Sequence, residues 1–293
     1  MHVEGVEITK ADKALFPDGT TKGDLAEYYA GVADVMLPHL ADRPVNMQRF
    51  PDGVDAGGFY EKKVPSYFPD WVRTVEVATD QGRQRQVVVD DARSLVYLAQ
   101  QACLTPHTWL SRTDDLDRPD QLVLDLDPST DEVEPVRRAA HLVGDLLDDL
   151  GLTAYLKTTG SRGYHVLVPL RPHDGFDEVR GFAREVAHLL VSREPDLLTV
   201  EQRKAKRGDR VLVDVMRNGY GQTAVPPYAV RARDGAPVST PIEWAELATT
   251  DPASYTLASV RRRLAQRDDP WKGLRRHAQS LAKPREKLSR LAG

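Results

Sequence analysis

One cysteine in 293 residues, Cys103, leaves no partner for an intrachain disulfide and sets aside the disulfide-stapled secreted scaffolds. No apolar stretch comes near the ~20 residues that a membrane-spanning helix requires. The opening residues, MHVEGVEITKADK, are polar and mixed in charge and lack the apolar core of a secretory signal. The expected location is therefore cytoplasmic, away from any membrane. Nor is there a positive excess: a formal net charge of -4 excludes a surface uniformly coated in basic groups, although it permits a local basic groove. Internal repeats and low-complexity segments are missing as well.

What is there belongs to a globular protein, 41% hydrophobic and 29% charged. At roughly 150 residues per domain, the length suggests about two domains or one domain with lobes. Positive charge gathers in QRKAKRGDR (202–210), at Arg231 and Arg233, and in a tail carrying RRR, WKGLRRH and KPREK, whereas TDDLDRPD and GDLLDDLG hold the acidic excess.

In the first 118 residues, Thr20 or Thr21 can cap a helix over about 23–40, with Pro38 fraying or kinking its end. VRTVEVAT and RQRQVVVD flank TDQG as a hairpin, and DARSLVYLAQQACL reads as a helix with Leu95, Leu98, Ala99 and Ala102 on one face. From 119 to 235 the order is strand QLVLDLD, helix EPVRRAAHLVGDLLDDLG, strands TAYLKT and YHVLVPL around TGSRG, helix DEVRGFAREVAHLLV and strand RVLVDVM. That β-α-β-β-α-β order is the ferredoxin-like unit, in which the first strand lies between the third and the fourth. Residues 236–293 read as a basic, mostly helical tail. The fold class expected is α+β: a ferredoxin/RRM-like sheet fused to an N-terminal α+β lobe, one compact module overall.

Alternation along a strand decides what each face carries. Leu122, Leu124 and Leu126 share one face of the first strand, leaving Asp125 and Asp127 on the other. Tyr164, Val166 and Val168 oppose His165 on the third strand, and Val211, Val213 and Val215 oppose Asp214 on the fourth. If the apolar sides pack on the helices, three carboxylates and a histidine converge on the open face. Like charges so placed repel unless a cation lies between them, and hard divalent ions such as Mg²⁺ or Mn²⁺ take such oxygen ligands. A D-x-D pair alone is more often a solvated strand end or turn cap; the convergence of Asp214 tips the balance. Next to these acids, TTGSRGYH (158–165) is a glycine-rich loop in which Ser161, Arg162 and His165 can meet phosphate oxygens. Its bland alternative is a plain hairpin turn.

In this order, VLDLDPS, TGSRGYH and VLVDV resemble the three motifs of the archaeo-eukaryotic primase superfamily, and specifically the polymerase domain of bacterial ligase D. ITKADKALFPDGTTKGDLAEYYAGVADVMLPHLADRP, GGFYEKKVP, QACLTPHTW and PPYAVRAR extend the resemblance over nearly the whole chain. The resemblance implies a primase-polymerase fold and template-dependent nucleotide addition to 3′ ends at gaps or breaks, preferentially of ribonucleotides. It implies two Mn²⁺ (or Mg²⁺) ions on Asp125, Asp127 and Asp214, one activating the primer hydroxyl and the other binding the triphosphate. NTP or dNTP contacts fall to Ser161, Arg162, His165, His107 and Lys62, with Arg231 as a further phosphate contact. Arg162 stands where the family often has lysine, which keeps the charge but changes its geometry.

Lys13 and Lys22 match lysines that bind the 5′-phosphate of a DNA gap or break; without the family each reads as a surface lysine. Phe59 and Tyr60 are expected to stack on the template, where the family commonly has two phenylalanines. Neighbours in a loop rarely both face outward, so core packing of one of them is also expected. Arg207 and Arg233 complete the template contacts, with Arg231 and Arg233 alternating on an extended segment; Lys204, Lys206 and Arg210 could equally form a solvated face.

The resemblance further implies a nucleoid-associated protein working with Ku and with a separate or fused DNA ligase. The chain has no ligase adenylation motif and no obvious nuclease module, and its initial Met and basic tail favour a stand-alone polymerase over an excised domain. Three alternatives compete: a primase-polymerase of replication or excision repair, a non-catalytic DNA-end-bridging module, and a metal-dependent phosphodiesterase.

Overall fold

The computed structural model describes residues 1–80 and 82–292, so Gln81 of the expected TDQG turn and Gly293 of the tail lie outside the described residues. The chain forms two compact units, each assembled from three separated segments: residues 1–114, 223–240 and 253–269 in the first, 115–222, 241–252 and 270–293 in the second. This interleaving replaces the contiguous boundaries expected at 118 and 235. Its physical basis includes hydrogen bonds that return the later segments to the early ones: Thr223–Ala224 pairs with Trp109 and Thr108, and the Tyr28 hydroxyl donates to the carbonyl of Tyr228 at 3.0 Å.

In the first unit, helices α1 (Lys22–Gly31), α2 (Ala33–Leu40) and α3 (Ala92–Gln100) accompany strands β1 (Pro44–Arg49), β2 (Phe59–Glu61), β3 (Thr74–Thr79), β4 (Gly82–Val88) and β5 (Cys103–Trp109). β1 is central, between β4 and β5, with the short β2 also pairing with it. Thr21 caps α1, accepting from the Asp24 amide while the Asp24 carboxylate accepts from the Thr21 amide. The single helix expected over 23–40 is interrupted not near Pro38 but at Val32, which leaves helical geometry (φ -110°, ψ 5°) directly after Gly31. Pro38 sits inside α2. The helix expected to run through Cys103 stops at Gln100, because Ala102 takes a left-handed φ of 54° and turns the chain into β5, a strand buried along its whole length.

The second unit carries β6 (Gln121–Asp127), α4 (Glu134–Asp149), β7 (Tyr155–Thr158), β8 (Tyr164–Pro169), α5 (Phe176–Arg193), β9 (Leu198–Thr199) and β10 (Val211–Asp214). Its sheet runs β9-β10-β6-β8-β7 with Pro241–Ile242 at the far edge, so the first strand of the motif does lie between the third and fourth. Val136, Ala139, Ala140, Val143 and Leu147 are fully buried along one stripe of α4, and Gly151 (φ 80°) supplies the left-handed stop. Both α4 and α5 pack on β6. Burying each such valine or leucine contributes about 1.5–3 kcal/mol, enough to commit the leucine face of β6 to the helices and leave the aspartate face open.

Where β10 ends, β6 would lose its ladder partner. Asn218 takes over: its Oδ1 accepts from the Val123 amide at 2.8 Å, and its Nδ2 donates to the carbonyls of Val123 (2.7 Å) and Val215 (2.9 Å).

Candidate active site

The strand register brings the expected acids together. Asp125 is the direct ladder partner of His165 on β8 and of Asp214 on β10, and Asp127 follows two residues along the same face. The His165 Nε2 lies 3.3 Å from Asp125 Oδ1, and the Arg217 Nε donates to Oδ2 at 3.4 Å. Asp127 faces Arg207 Nη1 at 2.9 Å and Arg162 Nη2 at 3.7 Å. Asp214 accepts from the Met216 amide at 2.8 Å and from Gln202 Nε2 at 3.4 Å.

The electrostatics follow from this packing. Burial works to raise the Asp125 carboxyl, but His165, Arg217 and Lys157 outweigh it and hold the group well below the usual carboxylate range. Burial, followed by Lys157, pushes the His165 imidazole down to about 4 against the pull of Asp125. Near neutral pH the pair is therefore an ionised carboxylate and a neutral ring. His165 Nδ1 is buried and has no hydrogen-bond partner among the described residues.

The donor set fits a hard divalent cation: three carboxylates on adjacent strands, with the Asp125 side chain 14% and the Asp127 side chain 43% exposed. Among the described residues, no three acidic, histidine or cysteine groups are already drawn into a coordinating cluster. In this arrangement Arg217 approaches Asp125 Oδ2 and Arg162 approaches Asp127 Oδ1, so an ion would take their place there while Arg207 keeps Asp127 Oδ2.

The TTGSRGYH loop is bound to the acidic strand by a contact that admits no side chain: a Cβ on Gly163 would fall 1.8 Å from the Leu126 carbonyl oxygen. Gly160 takes φ 62°. The Thr159 hydroxyl accepts from the amides of Ser161 and Gly163, both at 3.2 Å, so the Ser161 amide is turned inward, away from any anion. Ser161 and Arg162 remain partly exposed, Arg162 beside Asp127.

Arg207, expected as a template contact, is largely buried. It is 7% exposed, its Nε and Nη2 donate to the carbonyls of Glu201 and Gln202, and its Nη1 holds Asp127. The short 3₁₀ turn Lys204–Lys206 directs it inward, while Lys204 and Lys206 stay exposed.

In the first unit, His107 lies in β5, with its Nε2 3.3 Å from Gln48 Oε1 and its ring 5.3 Å from that of Tyr60. Phe59 and Tyr60 are both exposed, at 47% and 56%, against the expectation that one would pack inward. They lie on an edge strand rather than in a loop, so alternation turns them to opposite sides, Phe59 beside Arg49 and Tyr60 beside His107. Lys62 is exposed. Arg231 and Arg233 do not alternate on an extended segment: the Arg233 amide donates to the Arg231 carbonyl at 2.8 Å, and Gly235 and Ala236, both at positive φ, close a turn that leaves Arg231 half-buried and Arg233 exposed.

Lys13 and Lys22 are neighbours, the Lys22 amide donating to the Lys13 carbonyl at 2.9 Å. Lys22 is buried rather than superficial. Burial, then Lys13 and Lys10, lower its ammonium from the ordinary lysine value, so three cations share one place at the start of α1. Lys13 is also held by Asp52 at 2.9 Å. Lys10, Arg217, Lys157, Gln202 and Asn218 escaped the sequence reading; only Lys157 carried a signal, sharing with His165 the parity of the polar face.

A ferredoxin-like sheet whose open face gathers three aspartates beside a glycine-tethered Ser-Arg loop is the arrangement expected of a nucleotidyltransferase of the primase-polymerase type. The profile of the LigD primase-polymerase domain matches residues 21–271, and the chain belongs to that family. It is 36% identical over 274 residues to the multifunctional non-homologous end joining protein LigD of Pseudomonas aeruginosa, covering 91% of this chain and 32% of that protein. It is 37% identical over 263 residues to the LigD of Mycobacterium tuberculosis H37Rv, covering 86% and 34%. The chain thus spans about a third of these relatives. Among solved structures, the polymerase domain of Mycobacterium tuberculosis ligase D in complex with DNA matches at a TM-score of 0.87 and 35% identity, over 94% of this chain and 99% of that one. Among the described residues, no helix is long and apolar enough to cross a membrane.

Proposed function

We propose that this chain extends 3′ ends under the direction of a template at DNA gaps or double-strand breaks during end joining. The observation that carries the reading is the cross-strand meeting of Asp125 with Asp214 and His165, two residues from Asp127. Asp125, Asp127 and Asp214 would hold Mn²⁺ or Mg²⁺, which when bound supplies Lewis-acid activation of a primer hydroxyl and neutralises triphosphate charge. His165, neutral and hydrogen-bonded through Nε2 to Asp125, orients that carboxylate and keeps Nδ1 for a polar group of the nucleotide. Arg162 and the Ser161 hydroxyl bind phosphate oxygens, and Arg207 fixes Asp127. His107, Lys62 and Arg231 are further nucleotide contacts; Phe59, Tyr60 and Arg233 are contacts to the templating strand. Lys10, Lys13 and Lys22 form the anion site for a 5′-phosphate. NTP or dNTP and phosphorylated gapped DNA are the substrates in this reading, and Ku and a DNA ligase are the partners.

Primer extension on gapped DNA with Mn²⁺, using ribo- and deoxynucleotides separately and with or without a downstream 5′-phosphate, tests the reading. Ribonucleotide-favoured addition stimulated by the phosphate and lost in Asp125→Ala supports it. Extension indifferent to the phosphate points to a general primase-polymerase, and binding without extension to an end-bridging module.

A further inference from the structure

The first unit places aromatic surface in the open well beyond Phe59 and Tyr60. Tyr67 is 59% and Trp71 37% exposed, so four exposed aromatics fall within residues 59–71. They are joined into one array. The Arg49 guanidinium lies 5.7 Å from the centre of the Phe59 ring and donates to the Tyr67 hydroxyl at 2.8 Å. Tyr67 contacts Phe68, Phe68 contacts Tyr97 and Tyr97 contacts Trp71, with ring centres 5.5, 5.0 and 5.3 Å apart. The array ends where exposed Arg93 lies 3.9 Å over the Trp71 ring. Lys62 and Lys63 are exposed in the same stretch.

Packing needs do not account for this surface. Phe68 and Val72 alone are buried there, while Tyr67 and, on the side not covered by Arg93 and Tyr97, Trp71 stay exposed. Exposed π-faces interleaved with cations are the chemistry that binds single-stranded nucleic acid without sequence preference: bases stack on the rings and the phosphates meet the guanidinium and ammonium groups. An acidic or purely apolar partner would use only half of what is displayed. Glu61 is neutralised by Arg49, so exposed Lys62, Lys63 and Arg93 outnumber exposed Asp70 here.

We propose that Tyr67, Trp71 and Arg93 form a second single-strand platform, continuing from Phe59, that carries unpaired nucleotides of the templating strand. The proposal rests on the polymerase reading above and extends it by a site several nucleotides long. The test measures affinity, by fluorescence anisotropy, for duplexes with a recessed 3′ end and a template overhang of 2 or 10 nucleotides. Wild-type protein gains affinity with the longer overhang. Tyr67→Ala, Trp71→Ala and Arg93→Gln each lose about tenfold on the long overhang and match wild type on the short one. Equal affinity of all variants on the long overhang overturns the platform and leaves the array to a protein partner. Should Trp71→Ala misfold, it loses binding to both substrates, and exposed Arg93→Gln decides alone. Wild-type protein that neither binds nor extends either substrate sinks the polymerase reading itself, an outcome distinct from loss of the length dependence.

Discussion

Gly163 and the carbonyl of Leu126 approach so closely that a single methyl group cannot enter between them. The TTGSRGYH loop is thereby pinned to the strand that bears Asp125 and Asp127. Gly163→Ala must push the backbone of one or the other aside. We expect a loss of about 1–3 kcal/mol in stability and a fall in nucleotide addition larger than the stability loss explains. Urea denaturation and primer extension on the same preparation check both, and an unchanged variant would contradict the contact.

Asn218 substitutes for a missing strand beside Val123. Removing its amide in Asn218→Ala strands a buried N–H and a buried carbonyl, at a cost of about 2–4 kcal/mol. Asn218→Asp keeps the acceptor but loses both Nδ2 bonds, so its midpoint should fall below that of the wild type as well.

Arg207 Nη1 donates to Asp127 at 2.9 Å, and in the proposed reading it positions that carboxylate. Arg207→Gln should lower kcat about tenfold or more while leaving the KM for DNA unchanged. Arg207→Lys should recover only part of the rate, because one ammonium cannot replace a fork that holds two carbonyls and a carboxylate. A raised KM for template with normal kcat would return the residue to the role first expected of it.

Lys13→Ala with Lys22→Ala should weaken binding to gapped DNA that carries a 5′-phosphate and leave binding to 5′-hydroxyl DNA almost unchanged. Equal losses on both would reduce the lysines to general backbone contacts. Lys10→Ala should reproduce part of the effect, since its charge already depresses Lys22.

Alkaline pH should destabilise the fold. Burial pushes the Cys103 thiol up from 9.0 to about 12, and desolvation raises Tyr28, Tyr29 and Tyr228 well above an ordinary tyrosine. Between these ordinary and raised values the unfolded chain has released protons that the folded chain retains, so stability falls as pH rises. Equilibrium unfolding from pH 8 to 11 should show a decline that begins near pH 9. Alkylation of Cys103 should be slow in the native protein and fast in urea.

Much of the catalytic sheet was legible because strand alternation is local. A run of leucines on alternate positions is enough to turn Asp125 and Asp127 to the opposite face, and three valines do the same for Asp214. Other features depend on residues distant in the chain. Nothing near Arg207 announces that Asp127, 80 residues away, will take its Nη1, and nothing near Asn218 announces a strand that has run out of partner. The exposure of both Phe59 and Tyr60 is not legible in the sequence, because a strand of three residues, Phe59–Glu61, gives too short a pattern to distinguish from a loop. The interruption at Val32 was hidden behind Pro38, the stronger conventional signal.

The interleaved segments bear on how the protein is made. The polypeptide passes five times between two units that each require its last third. Neither unit can be finished by a nascent chain until residues beyond 252 have left the ribosome, so the usual order of synthesis, one domain closing before the next begins, does not apply here. Closing contacts such as that between Tyr28 and Tyr228, 200 residues apart, come late and favour slow folding. A fragment cut at either expected boundary would expose apolar surface on both pieces. Reporter insertions and split versions of this protein are therefore better placed within the loops of one unit than between the two.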